Sequence, residues 1–418
     1  MHTRIPRVGI CPITTHLSNQ KRRYTLHIAL VMVTALGMSA CGGGGAVTPV
    51  TQVAPVAANT VFVDVNNANA NVTATCGTAS APCKSITAGI KAATAGQTVL
   101  VSSGTYVEQV SIKTSITLTS VTPYGAVIQA PSTLTPEKTL LTIDGGVSGV
   151  VVSNMTIRGP VETNGSCDAS VFGIFVKNAD ATITGNQVLN IAPADKALDG
   201  CQYGVGIRFG SRALGYKGHT GNISNNIVSG YAKAGIVADG DLTNVTISKN
   251  VVTGLSIPNV VGQNGIQVSR GAIGTVDSNV VSGNIYGSTL LLESADGIVL
   301  YDNSGSVTVT NNTVSGNDEG IGVYTDAAYS GPSNNDPVQV ATHVAIKNNR
   351  VINNVYLGIH IDPFSSSNTI WNNTVTGNGA WDDLDEHKDY TSNDWGAVPS
   401  QQDTLGFQGK HVGLVFSY

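Results

Sequence analysis

An asparagine-centred phrase recurs along this 418-residue chain: "SNMTIRG" at 153, "GNQVLN" at 185, "NNIVSG" at 225, "KNVVTG" at 249, "SNVVSG" at 278, "NNTVSG" at 311, "NNRVIN" at 348 and "NNTVTG" at 372. The spacing runs from 24 to 40 residues, the range of stacked repeats. Each phrase follows a short alternating strand such as "VTVT" (307–310). An earlier strand in each repeat opens with Gly-Ile: "GIFV", "GIRF", "GIVA", "GIQV", "GIVL", "GIGV" and "GIHI". One unit is therefore three short strands: A (Gly-Ile), B (before the asparagine) and C (after it). Such a unit cannot bury its apolar face alone, so the chain must coil into an all-β solenoid.

The asparagine has a structural reason. At a tight B-to-C turn it tolerates left-handed dihedrals, and its amide can bond the equivalent amide one coil away, about 4.8 Å distant. A ladder of Asn186, Asn226, Asn250, Asn279, Asn312, Asn349 and Asn373 is expected, away from any groove.

These repeats resemble the right-handed parallel β-helix of the pectate-lyase-like superfamily, and the β-helix repeats of periplasmic nitrous-oxide-reductase maturation proteins. The segment "PCKSITAGIKAATAGQTVLVSSGTYVEQVSI" (82–112) is similar to the superfamily's opening, in which an amphipathic helix with Ile86, Ile90 and Ala93 on one face caps the apolar end. The resemblance implies a single-stranded right-handed parallel β-helix of about ten coils over 61–378, with a C-terminal cap over 379–418.

"KRRYTLHIALVMVTALGMSAC" resembles a bacterial lipoprotein signal, with a basic start, an apolar run and "MSAC" as lipobox. The expectation is a signal over 1–40, lipidation of Cys41 and a flexible tether over 41–60; an ordinary secretory signal is the alternative. Without the signal, 17 Lys and Arg face 27 Asp and Glu, about −10, which gives no basic footprint for nucleic acid. Cysteines suit an oxidising envelope: Cys76 and Cys83 can close a small loop, and Cys167 and Cys201 fall in equivalent loops of adjacent coils, where a disulfide would pin a wall.

The loops flanking strand A are long, whereas the B-to-C turn is always short. Walls with strand A as an open floor would make a groove, the place where β-helix enzymes of the resembled superfamily hold polysaccharide. Alternation leaves two outward columns: Phe175, Arg208, Val237, Gln267, Val299, Gly322, His360 and Lys177, Gly210, Asp239, Ser269, Tyr301, Tyr324, Asp362. His360, Tyr324, Tyr301 and Asp362 gather on the late coils as candidate catalytic residues, His and Tyr suiting proton abstraction and return. Arg208, Asp239, Gln267, Arg270 and Lys177 are candidate substrate contacts, with the two arginines and Asp239 read as dispersed over neighbouring coils. Asp296 and Glu319, each just before Gly-Ile in consecutive coils, could share a proton or hold calcium, the one cofactor the acidic positions suggest.

The expected function is a lipid-anchored cell-envelope protein, facing the periplasm or the surface, that binds polysaccharide and cleaves or epimerises it, as a lyase or C5-epimerase more readily than a hydrolase. The alternative is a non-catalytic binding, adhesion or assembly protein. Expected partners are a polysaccharide or an envelope component, with no nucleic acid, membrane contact only through the lipid and a monomeric state. The negative charge favours neutral sugars or the second reading.

Overall fold

The computed structural model describes residues 59–395 apart from 74, 136, 164, 166–170, 202, 257–260, 287–294, 326–339 and 386–392. Short runs with one apolar residue in two form strands of three to seven residues, and all their pairings are parallel. Strands three apart in chain order are neighbours, so each pass of A, B and C is one coil of a right-handed parallel β-helix. Among the described residues, sheet B has eleven strands, Thr60–Val63 to Thr369–Trp371, and sheets A and C have ten each. Sheet A runs from Val110–Ile112 to Trp381–Asp385 and sheet C from Gly104–Val107 to Thr374–Thr376.

Alternation puts one column from each sheet inside. Ile174, Ile207, Ile236, Ile266, Ile298, Ile321 and Ile359 stack in sheet A, each in register with the next and each fully buried. The Gly-Ile signature has its cause here. A Cβ on Gly265 would stand 2.5 Å from the carbonyl oxygen of Gly297 one coil on, and the same close approach recurs at Gly173, Gly206, Gly235, Gly297 and Gly320. On these coils a side chain at the corner would collide with the neighbouring coil's carbonyl, and glycine has none.

The helix Ile86–Ala92 closes the N-terminal end with Ile86, Gly89 and Ile90 buried. Its first-turn donors are all met from outside the helix: Ser85 Oγ accepts from Ala88 N, and Glu108 accepts from Ile86 N and Thr87 N. Cys76 and Cys83, both buried, form a disulfide beside it. At the other end the coils run past Asn378. Trp381–Asp385 pairs with Leu357–Ile361 as a further rung, so part of the segment expected as a separate cap continues sheet A.

The asparagines occupy the B-to-C corner as a continuous column. From Asn186 through Asn226, Asn250, Asn279, Asn312 and Asn349 to Asn373, each residue donates from its backbone N and its Nδ2 to the next Oδ1, at 2.8–3.1 Å. The left-handed dihedral belongs to the residue before: Gly185, Asn225, Lys249, Ser278, Asn311, Asn348 and Asn372 have φ of 54–64°. The two properties assigned to one asparagine are thus divided between neighbours. A second column, Asn284, Asn317, Asn354 and Asn378, runs along the C-to-A corner in the same way and ends on the carboxylate of Asp382.

Candidate functional site

The outward columns of sheet A lie in the register that alternation predicts. Phe175, Arg208, Val237, Gln267, Val299, Gly322 and His360 are successive partners, as are Asp239, Ser269, Tyr301 and Tyr324. Their exposure differs from the expectation of an open floor, because Arg208, Gln267, Tyr301, Tyr324 and His360 are all 3% exposed or less. On the early coils the reason is visible. The segment after Val205–Phe209 turns back through a Ser211–Tyr216 bridge and lays the Tyr216 ring 6.0 Å from Phe175, covering Phe172, Val205, Ala234 and Val237.

Arg208, Asp239 and Arg270, read as dispersed, converge instead. Arg208 Nη2 lies 3.3 Å from Asp239 Oδ1 and Arg270 Nη1 2.9 Å from Asp239 Oδ2. Burial works to raise the Asp239 carboxyl, but the two guanidiniums, the Arg212 N–H and the Ser269 hydroxyl hold it below the usual carboxylate range. Gln267 joins this group through Ser269 and Asn264. Lys177 is separate: it pairs with Glu137 at 2.6 Å and sits over the Phe175 and Tyr216 rings.

On the later coils, consecutive rungs place Asp296 and Glu319 opposite one another. The Tyr324 ring lies back across Gly322, where a Cβ would meet its hydroxyl at 2.2 Å. The space that Gly322 leaves beside His360 is therefore filled by tyrosine. That ring brings Tyr324 Oη to 3.0 Å from Asp296 Oδ1, 2.7 Å from Glu319 Oε2 and 3.4 Å from His360 Nδ1. His360 Nδ1 is 2.9 Å from the same Glu319 oxygen. Burial, then Glu319, pushes the Asp296 carboxyl well up, and burial does the same to the Tyr324 hydroxyl. Tyr301 packs on Tyr324 and Val299 beneath Arg270, whose guanidinium carbon is 5.4 Å from the ring.

Two neighbours went unnoticed in the sequence. Asp318 accepts from Tyr286 N and Ala295 N, and burial raises it to about 7. Lys233, fully buried, donates to Gly262 O, and burial lowers it to about 7. Both stand one residue before the Asp296 and Glu319 position of their coils, so extending that register by one residue finds them.

Asp362 does not join this cluster. Its carboxylate accepts from the backbone N–H of Thr325, Phe364 and Ser365 and so fixes a turn; burial raises it to about 6. The calcium expectation for Asp296 and Glu319 also needs revising on donor chemistry. Their facing oxygens meet a phenol and an imidazole, and among the described residues no group of three or more His, Cys, Asp or Glu is placed to hold a metal ion. Cys201 is buried and disulfide-bonded, while Cys167 and Cys41 lie outside the described residues. No described helix is long and apolar enough to cross a membrane. A concavity of about 280 Å³ opens on sheet B, lined by Asp180, Thr182, Thr220 and Asn222, away from this chemistry.

The coil geometry defines a right-handed parallel β-helix protein. The family model described as "Right handed beta helix region" matches residues 141–336 and 213–393, more than half of the chain, and the chain belongs to that family. A comparison with curated protein sequences found no match. Similar solved structures include the Dettilon tailspike protein, at 18% identity and TM-score 0.46, covering 74% of this chain and 55% of the tailspike. They also include the mannuronan C-5 epimerase A-module of Azotobacter vinelandii, at 13% identity and TM-score 0.42, covering 82% of this chain and all of that one. The pectin methylesterase of Erwinia chrysanthemi is similar at 14% identity and TM-score 0.37, covering 72% and 80%. The chain spans just over half the length of the tailspike, and these likenesses concern the fold.

Proposed function

We propose that this chain is a cell-envelope β-helix protein, anchored through Cys41, that acts on a polysaccharide by acid–base chemistry at Asp296, Glu319, Tyr324 and His360. The observation that carries this reading is the joining of two carboxylates on consecutive rungs by one tyrosine hydroxyl, with an imidazole on one of them. Groups pressed together until they must differ in protonation supply an acid and a base from the same residue type, which sugar chemistry needs at the glycosidic oxygen or at C5. Carboxylates outnumber cations in the cluster, so neutral chains suit it better than polyuronates.

The test incubates residues 41–418 with neutral and acidic polysaccharides, with and without calcium. Reducing ends, unsaturated uronate absorbance and C5 epimerisation are followed. Activity on at least one sugar is expected, falling at least about 100-fold in Glu319→Gln and in His360→Ala and little in Asp362→Asn if that variant folds. No product on any sugar from folded protein would sink the enzymatic reading. One observation favours the alternative of a non-catalytic binding or assembly protein: all four residues are 3% exposed or less. Retention on immobilised polysaccharide without turnover would identify that case.

A further inference from the structure

The Tyr324 hydroxyl carries one proton but lies within hydrogen-bond distance of two buried carboxylates on adjacent rungs. It can donate to one of them. The other contact, if neither partner supplied a second proton, would set two oxygens face to face with no hydrogen between them. Two further observations say where that second proton sits. Glu319 Oε2 is approached by both Tyr324 Oη at 2.7 Å and His360 Nδ1 at 2.9 Å, the surroundings of an anion accepting twice. Asp296 Oδ1 has the longer contact, at 3.0 Å, and Asp296 Oδ2 is buried with no hydrogen-bond partner among the described residues. An unpartnered oxygen costs far less on a neutral carboxyl than on a carboxylate.

We propose that Asp296 is the neutral acid of this cluster, donating its proton to Tyr324 Oη, while Tyr324 donates to an ionised Glu319 that His360 Nδ1–H also supports. The order Asp296, Tyr324, Glu319, His360 gives the site a direction, with an acid at one end and a base with its orienting imidazole at the other. When Glu319 takes a proton from the substrate and Asp296 gives its own to the substrate, Tyr324 can pass its hydroxyl proton to Asp296 as it accepts the proton of Glu319, which restores the starting state with no change in net charge. The charged and titratable groups facing Asp296 are Glu319, His360, Tyr324 and Asp318, with Lys233 near enough to feel its charge. The carboxylates among them oppose a second negative charge at Asp296, in keeping with the direction in which burial and Glu319 move it. The inference deepens the acid–base reading and rests on it only for its catalytic meaning.

Infrared spectroscopy at pH 7 tests it, because protonated carboxyls have a C=O band that carboxylates lack. In Asp296→Asn one such band should vanish, whereas in Glu319→Gln the loss should come from the carboxylate bands. Protein labelled with 13C only in glutamate keeps the wild-type site in place of a variant that folds poorly, and there the protonated-carboxyl band should not shift. A shift of that band with labelled glutamate, or loss of no protonated band in Asp296→Asn, would overturn the proposal. Turnover is not read by either measurement, so an inactive protein that passes both tests would retain the proton assignment and lose the enzymatic reading.

Discussion

Asn311 and Asn312 are neighbours of one kind with different tasks. Asn311 takes the left-handed dihedral, φ 56°, on the outside of the turn. Asn312 is buried and links Asn279 to Asn349. Substitution should separate the tasks in urea unfolding. Asn279→Ala leaves the buried N–H groups of Asn250 without an acceptor and should cost about 3 kcal/mol; Asn311→Ala loses only the dihedral preference and a surface bond, about 1 kcal/mol. Equal losses would mean the column contributes nothing beyond its turn. The phrase "NNTVSG" is legible as punctuation, but the asparagine that follows it, Asn317, carries no signal of its own. Asn317 belongs to the second column, and nothing in its residue type separates it from an ordinary loop asparagine. The candidate site was legible in part for a similar reason. Strand alternation names which residues share a face, and it did so for Tyr324, Gly322 and His360. It carries no rotamer, so it could not say that the Tyr324 ring turns back over Gly322 to join Asp296 and Glu319 to His360, or that Asp362 turns away to its own backbone.

At the scale of the strand, a period of two and a corner glycine determine nearly everything. Inward Ile and Val set the sheets, backbone hydrogen bonds set the distance between coils, and the glycine before each Ile leaves room for the neighbouring coil's carbonyl. Gly265→Ala should therefore be poorly tolerated despite its small size, because the new methyl meets the Gly297 carbonyl at 2.5 Å and Val281 at 2.3 Å. A loss of about 3 kcal/mol in denaturant midpoint analysis is expected, against under about 0.5 kcal/mol for Thr246→Ala on the exposed face of sheet B. The strands were legible because each repeat confirms the others. The burial of the early Gly-Ile strands was not, because it depends on how residues 211–216 fold back, and a loop without periodicity gives no sign of its direction.

Across the whole described molecule, buried ionisable groups crowd sheet A and its flanking turns, and their effects on stability oppose one another. Asp318, Asp362 and Asp383 are raised from 3.8 to between about 6 and 7, and Asp296 is raised too, so the folded state holds protons that the unfolded chain has lost. The contribution of Asp318, Asp362 and Asp383 is fully present below pH 3.8 and declines as pH rises towards 7, and that of Asp296 declines in the same sense. Lys233, lowered from 10.5 to about 7, acts in the opposite sense: its buried charge is a penalty at low pH that disappears as pH rises from 7 to 10.5. Together these groups should place a shallow minimum of stability near pH 7 to 8. Urea midpoints at pH 5, 7.5 and 9.5 should be lowest at the middle value, and a midpoint rising steadily through neutrality would contradict these protonation states.

The asparagine columns also give the solenoid a direction. Along both columns each carboxamide oxygen faces the preceding coil and, short of the last coil, one Nδ2 hydrogen faces the next, while in the first column the other Nδ2 hydrogen turns back to a carbonyl of the preceding coil, so the amide dipoles share a component along the axis. Each column is a polarised wire whose positive pole lies at the last coil. The second wire ends where Asn378 gives both its N–H groups to Asp382. A carboxylate at that pole does for a stack of side chains what an acidic cap does for the N-terminus of a helix.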